Sequence, residues 1–270
     1  MTRRRFVAIG GMGAAALLLS LKAADTKKKS RPATEGLVLA GAPGHFSLRP
    51  ISDRVQEASS LPGKGILEGE WGLEFMQVRA VPSRNPQQML RTVPTGTLRL
   101  GLRGGERRSL LEFRQGGHRI ELVIAGGSAG LSGWTDTASS ALGAGETLRR
   151  VQEIRLEGEV ALLKTISGAM GFSDVLPCPG PLWCLADLLV LLARGRKPEG
   201  SFTFLDENGN LGQNQRLGDA GEIPWGAGSL RGYYQVGDAT HPIHYWFDAA
   251  GRPLFITHAM RSYLLQKVEA

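Results

Sequence analysis

The sequence predicts a mostly β protein, built as a twisted antiparallel sheet or half-barrel with one apolar helix packed on its concave face. Three observations support this fold class. The 37 glycines and 14 prolines among 270 residues favour many turns between short strands. Within residues 98–103, three leucines alternate with two arginines and a glycine, which is the pattern of a half-buried strand. Residues 182–193 form one short stretch that is apolar except for one residue, which predicts a helix.

Turn residues between the alternating runs predict hairpins. The adjacent glycines Gly116–Gly117 close a tight turn. Folding the chain there sets Phe113 opposite Ile120 and Leu111 opposite Leu122, so both strands present apolar residues to one face. Asn208–Gly209 predicts a second hairpin between residues 201–205 and 211–217, and residues 249–252 a third, between Ile243–Asp248 and Pro253–His258. Residues 153–166 supply two further strands or one long bent strand.

The apolar stretch Leu182–Ala193 is interrupted only by Asp187 and is too short to span a bilayer. A helix that is apolar almost all round is a buried one, so we expect it to lie across a curved sheet. The alternative is a plug or gate that lines an apolar cavity. In that case the ligand-binding side chains are Leu182, Trp183, Leu188, Leu192, Phe202 and Phe204.

The net charge of +7 comes entirely from the N-terminus. Residues 1–31 hold eight of the 32 basic residues and one of the 25 acidic ones, so 24 of each remain from Pro32 onward. A polyanion is held by an excess of Lys and Arg, which this neutral body lacks. The sequence therefore argues against nucleic-acid binding.

The first residues resemble a twin-arginine export signal. Arg3, Arg4 and Phe6 match its pattern, and the uncharged stretch Phe6–Leu21 has 16 residues, a length typical of a signal peptide. We therefore predict a signal peptide or uncleaved signal anchor at 1–24, a basic linker at 25–35 and a single β-rich domain at 36–270. The glycines at 10–13 resemble a dinucleotide-binding loop, but the basic run Lys27–Lys29 follows and no second parallel strand is apparent, so no cofactor is expected.

Cys178 and Cys184 are the only cysteines. A cysteine pair in an exported protein predicts a structural disulfide, with two buried thiols as the alternative.

A serine hydrolase is one alternative function. Residues 126–130 match the Gly-x-Ser-x-Gly pattern around Ser128, with His241 or His258 as the base. The pattern requires a parallel sheet and a following helix, whereas this strand belongs to a hairpin. A small-residue loop is the favoured interpretation.

No metal site is predicted. His241, His244 and His258 are the only cluster with metal-ligand character, but the predicted hairpin sends His244 to the opposite face from His258. Residues 206–210 resemble the start of a calcium loop, yet Leu211 and Leu217 stand where such a loop needs Gly and Glu.

One family resemblance covers residues 185–265. Its motifs are Asp187-Leu188-Leu189, the Pro198–Phe204 strand, a Gly-Tyr-Tyr strand and the terminal hairpin that begins at His244. This half of the chain resembles an uncharacterised family of exported bacterial β proteins, domain of unknown function 3108. The resemblance implies a twisted antiparallel sheet wrapped round a helix, similar to periplasmic lipoprotein-carrier half-barrels, and no enzyme activity.

The function expected from these observations is binding without catalysis. We predict a periplasmic protein, exported by the Tat translocase, that binds an apolar small molecule, a lipid or an envelope protein. An alternative is a structural subunit of a membrane complex, held at the inner membrane by an uncleaved signal helix.

Overall fold

The computed structural model describes residues 67, 69–82, 90–127, 130–143, 146–225, 228–238, 242–258 and 261–269. The predicted export signal and linker lie outside these residues. The first eight described strands are β1 (Trp71–Pro82), β2 (Leu90–Arg103), β3 (Glu106–Phe113), β4 (Arg119–Gly127), β5 (Gly130–Gly143), β6 (Glu146–Glu157), β7 (Val160–Ser167) and β8 (Met170–Pro177). The short β9 (Leu182–Cys184) leads into the helix α1 (Leu185–Ala193). The remaining strands are β10 (Phe202–Leu205), β11 (Leu211–Trp225), β12 (Gly228–Val236), β13 (Ile243–Phe247), β14 (Pro253–His258) and β15 (Arg261–Glu269).

The strands form one large open sheet in the order β8-β7-β6-β5-β4-β3-β2-β1-β15-β14-β13-β12-β11-β10-β9. The chain therefore runs as two meanders joined where β1 pairs with β15, and β8 and β9 are the edges. The predicted fold class is confirmed, because the described residues form a β-rich twisted sheet or half-barrel with one short helix. The prediction of a wholly antiparallel sheet is wrong at one place, because β9 and β10 pair in parallel. These two strands are linked through α1, and a parallel pair needs such a crossover.

The hairpin between β3 and β4 is confirmed, but its predicted register is wrong by two residues. Leu111 pairs with Ile120, and the Phe113 N–H donates to the carbonyl of His118 at 2.8 Å. The connection is therefore the four-residue loop 114–117, which ends in Gly116 and Gly117, both with positive φ. A shift by two residues keeps every side chain on its predicted face, since side chains alternate with a period of two.

The other two predicted hairpins are confirmed. The Gly209 N–H donates to the Asp206 carbonyl between β10 and β11. Between β13 and β14 the register pairs Ile243 with His258, as predicted. Residues 153–166 belong to two strands, β6 and β7, rather than to one bent strand.

The helix α1 begins three residues later than predicted. Residues 182–184 pair with residues 203–205 as β9, and Cys184, the residue before the helix, has an extended backbone. At the other end the Arg196 N–H donates to the Leu191 carbonyl and the Gly195 N–H to the Leu192 carbonyl, which is the glycine-terminated helix end. The Arg231 guanidinium also donates to the carbonyls of Leu192 and Ala193. The helix C-terminus is therefore satisfied.

The helix lies inside the fold, against β2 and β3. Its buried residues are Leu185, Ala186, Leu188, Leu189, Leu192 and Ala193. Asp187, the one charge in the apolar stretch, pairs with Arg107 of β3 at 2.5 Å, and both side chains are mostly shielded from solvent. The pair therefore attaches the first turn of α1 to the sheet. Within the described ranges, no helix has the length and apolar character to cross a membrane.

Candidate functional site

An open groove of about 880 Å³ lies across strands β4 to β8. Its lining residues come from all five strands and are Val123, Ala125, Ser132, Gly133, Trp134, Thr135, Glu153, Ile154, Arg155, Glu157, Leu162, Leu163, Lys164, Ser173, Asp174 and Val175. Ligand sites in proteins are concave and typically measure 300–1,000 Å³. We call this feature the β4–β8 groove, and it is the candidate functional site.

Two cross-strand rows form the main part of the groove. One row joins Val123, Thr135, Glu153, Lys164 and Ser173, and the other joins Ala125, Gly133, Arg155, Leu162 and Val175. Neighbouring residues along β4, Leu122 and Ile124, are buried in the core. Because successive side chains of a strand point to opposite faces, these two rows lie on the face of the sheet that turns away from the core.

Small residues and a bulge shape the groove. Gly133 has no side chain, and a Cβ placed there would lie 2.3 Å from the Ile154 carbonyl oxygen, so the close approach of β5 and β6 requires glycine. Beside it, the register of β4 shifts between Ala125 and Gly126. Such a shift bends a strand and increases its twist. The curvature and the missing side chain together leave a hollow in the row.

The groove carries charges of both signs among apolar side chains. Lys164 and Arg155 supply the positive charges, and Glu153 and Glu157 supply the negative ones. Arg155 pairs with Glu157 at 3.5 Å, and both side chains are at least half exposed. An exposed pair of this kind contributes little to stability. These charges are therefore free to turn toward a ligand that enters the groove.

The six residues predicted to bind a ligand lie elsewhere. Leu188 and Leu192 of α1 and Phe202 and Phe204 of β10 are buried in the core, while Leu182 and Trp183 of β9 are half-buried against it. None of the six is among the described residues that line the groove. They build the core that supports the sheet.

The predicted hydrolase residues are not brought together in the described part of the chain. Ser128 and His241 lie outside the described residues. His258 lies near the end of β14, half-buried and opposite Ile243. His244 follows Ile243 on the opposite strand of the same hairpin, so its side chain points to the other face from that of His258. Burial lowers the pKa of His244. Among the residues that are described, no three of His, Cys, Asp and Glu are grouped as metal ligands.

The predicted disulfide is wrong, since Cys178 and Cys184 are both free, buried thiols. The Cys184 Sγ donates to the Asp187 carboxylate at 3.3 Å, and Cys178 interacts with the Thr203 hydroxyl. Cys184 is the last residue of the extended β9. Burial and the neighbouring carboxylate raise the pKa of Cys184 and keep it in the unreactive thiol form.

We therefore expect both thiols to resist modification in the folded protein. A thiol-specific reagent such as dithionitrobenzoate should titrate two thiols per chain in strong denaturant under non-reducing conditions, and react at least about tenfold more slowly with the native protein, because the reacting thiolate is both buried and disfavoured. If no thiol can be titrated in the denatured, unreduced protein, the two cysteines form a disulfide and the free-thiol assignment is wrong.

A carboxyl group from the β10–β11 turn is buried in the interior. Glu207 accepts hydrogen bonds from the Tyr263 hydroxyl and from the Asn208 side-chain amide. Tyr263 in turn accepts a hydrogen bond from Gln77 at 3.4 Å. Burial raises the pKa of Glu207, and the neighbouring Asp206 acts in the same direction. Burial therefore favours the uncharged form of this carboxyl group, and its hydrogen bond with Tyr263 links the turn to β15.

A second buried carboxyl group faces the same turn. Asp136 of β5 accepts a hydrogen bond from Arg150 of β6 at 2.9 Å. Burial outweighs this partner and raises the pKa of Asp136. A Cβ at Gly209 would lie 2.8 Å from the Asp136 carboxylate, so only glycine, with its φ of +82°, fits at the end of the turn.

The groove residues were missed because each is an ordinary strand residue. A signal does exist in the sequence: adjacent apolar pairs occur at Val123–Ile124, Leu162–Leu163 and Val175–Leu176. When one face of an antiparallel strand is exposed to solvent, only one of two consecutive apolar residues can point to the core, and the other points to the solvent-exposed face. Three such pairs, on β4, β7 and β8, mark an apolar surface outside the core.

Among solved structures, the chain is similar to the beta-barrel-like protein of domain of unknown function DUF1849 from Brucella abortus. It is 9% identical, has a TM-score of 0.46, and the match covers 77% of this chain and 99% of that one. No protein-family model and no curated protein matches this chain.

Proposed function

We propose that this chain is an exported, non-catalytic binding protein that holds an amphiphile with one apolar chain in the β4–β8 groove. The observation that carries the proposal is the groove itself, with its volume of about 880 Å³ and its apolar side chains on a face that is otherwise wet. Export to the periplasm rests on the sequence around Arg3, Arg4 and Phe6.

The length of the groove supports a chain-like ligand. It crosses five adjacent strands, and neighbouring strands are about 4.8 Å apart, so it extends for about 19 Å. Val123, Leu162 and Val175 offer apolar contacts along this length. Each methylene group of a ligand that is removed from water contributes about 0.8 kcal/mol. An extended acyl chain is therefore a better fit than a compact apolar molecule.

The charges support an amphiphile rather than a plain hydrocarbon. Lys164 and Arg155 would attract an anionic group of the ligand, and Glu153 and Glu157 would attract a cationic one. A zwitterionic head group satisfies both signs at once. The proposed ligand class is thus a single-chain zwitterionic lipid, with lysophosphatidylcholine as its simplest probe.

Variants that alter the groove test this proposal. Val175→Lys places a charge among the apolar contacts, and Ala125→Trp fills the hollow beside Gly133; both positions are exposed, so the fold should be retained. We expect each variant to weaken lysophosphatidylcholine binding by at least about tenfold in isothermal titration calorimetry, because buried methylene contacts are lost. The matched control is Val236→Lys, an exposed valine on β12 that does not line the groove.

Native mass spectrometry of the chain purified gently from the envelope supplies the second test. A processed chain that carries one lipid-sized mass supports the proposal, and the same preparation of Val175→Lys should lose that mass. Wild-type protein that binds no lipid, or groove variants that bind as well as Val236→Lys, would overturn it.

A further inference from the structure

The edge strand β8 has features of a protein-binding strand. All but one of its eight residues are exposed, and no described strand pairs with its outer side. Met170 and Phe172 are the most exposed large apolar side chains in the described chain, at 72% and 60%. Edge strands are commonly guarded against association by lysines or prolines. Here the only charge is Asp174, and the only proline is the last residue, Pro177.

The turn before β8 settles which main-chain groups face outward. Ser167 and Met170 pair across the two-residue turn Gly168–Ala169, so Met170 points its N–H and C=O toward β7. Because these directions alternate along a strand, Gly171, Ser173, Val175 and Pro177 point theirs toward the free edge.

Two independent hydrogen bonds agree with this alternation. The Asp174 carboxylate accepts the N–H of Val175 at 2.8 Å, and Gln213 of β11 donates to the carbonyl of Pro177 at 2.9 Å. Both bonds occupy outward-facing groups at the C-terminal end of the strand. Among the described interactions, Gly171 and Ser173 keep their outward N–H and C=O groups unpaired. The open part of the edge is therefore centred on Phe172.

We infer that β8 pairs antiparallel with β8 of a second copy of this chain, with Phe172 on the two-fold axis. In this register Gly171 exchanges two hydrogen bonds with Ser173 of the partner subunit, and Ser173 does the same with Gly171 of the partner subunit. The four outward groups of Gly171 and Ser173 on each chain are then all used. The two phenylalanines meet as a non-hydrogen-bonded pair, in which side chains approach most closely.

The charge distribution favours a second copy as the occupant. From Pro32 onward the chain has 24 basic and 24 acidic residues, so two bodies do not repel each other. The single charge on β8, Asp174, falls opposite Met170 of the partner subunit rather than opposite its own copy. A like-charge contact is thus avoided, and the most exposed apolar residue is covered.

Sedimentation velocity over a range from low micromolar to several hundred micromolar protein tests this inference. Wild-type protein should shift from monomer to dimer with concentration. Phe172→Lys should raise the dimer dissociation constant by at least about tenfold, since two like charges would face each other across the axis. Gly171→Pro should do the same, because it removes one outward N–H while leaving the pairing with β7 intact.

The control is Val236→Lys, which adds the same charge at an exposed position on β12 and should dimerise as wild type does. Circular dichroism of each variant confirms that the sheet is retained, and Phe172→Lys keeps the test valid if Gly171→Pro does not fold. Wild-type protein that stays monomeric throughout the range, or Phe172→Lys that dimerises equally, would overturn the inference. Because Phe172 does not line the β4–β8 groove, lipid binding by the variants separates this result from the proposed function.

Discussion

Replacement of Leu188 by alanine should lower the free energy of unfolding by about 2–5 kcal/mol, the range for a buried leucine whose neighbours cannot close the cavity. Leu188 lies near the middle of α1 and is completely buried. The helix is the only helix among the described elements, and it packs against β2 and β3. Removing its central side chain therefore leaves a cavity between the helix and the sheet.

The matched control is Leu191→Ala on the same helix. Leu191 is half-buried, so the same chemical change removes less apolar surface from the core. Both variants carry the same helix propensity change, so the difference between them reports burial alone. Urea unfolding followed by tryptophan fluorescence measures both. Equal losses of stability in the two variants would contradict the position of the helix inside the fold.

Stability should fall as the pH rises above the ordinary range of a glutamate pKa, and Glu207→Gln should reduce this fall. The pKa of Glu207 is raised in the folded state because the carboxyl group is buried. Between its unfolded pKa, about 4.3, and its higher folded pKa, the folded state binds more protons than the unfolded state. The free energy of unfolding therefore decreases with pH over this window, by about 1.4 kcal/mol for each unit of pKa increase.

Glutamine keeps an oxygen to accept the Tyr263 hydroxyl but cannot ionise. The variant should match wild type below the unfolded pKa and be more stable than wild type above the folded one. In this variant a smaller decrease of the free energy of unfolding with pH should remain, because the pKa of Asp136 is also raised by burial. Chemical unfolding at a series of pH values measures the effect, with the exposed Glu199→Gln as the control for loss of a charge. A pH dependence in Glu207→Gln as steep as in wild type would contradict the prediction.

The fold class could be predicted because it depends on local pattern. Alternation in residues 98–103, the turn at Asn208–Gly209 and the register of Ile243 with His258 all follow from neighbours in sequence. The errors arose where tertiary contacts outweigh local preference. Residues 182–184 look helical by composition, yet they form β9 because β10 lies beside them and offers backbone hydrogen bonds.

The candidate site could not be predicted in the same way. Val123 and Lys164 are separated by 41 positions, and only the order of strands β4 to β7 places them in one row. The predicted site residues Leu188 and Phe202 have the expected apolar character, but the structure uses that character for the core. Apolar composition is the same for a core and for a ligand cavity, so burial alone distinguishes them.

The sequence by itself establishes a neutral β-rich body behind a basic N-terminus, with hairpins at its turn signals and one buried helix. The tertiary structure alone decides that β8 is a free edge and that a groove forms on the face of the sheet opposite the core. It also decides that Glu207 is buried, although acidic residues usually lie at the surface. The physical reason is the sequence separation over which each kind of interaction acts. Periodicity and turns act over a few residues, whereas edges, grooves and buried charges arise from strand order and sheet curvature, which depend on pairings across the whole chain.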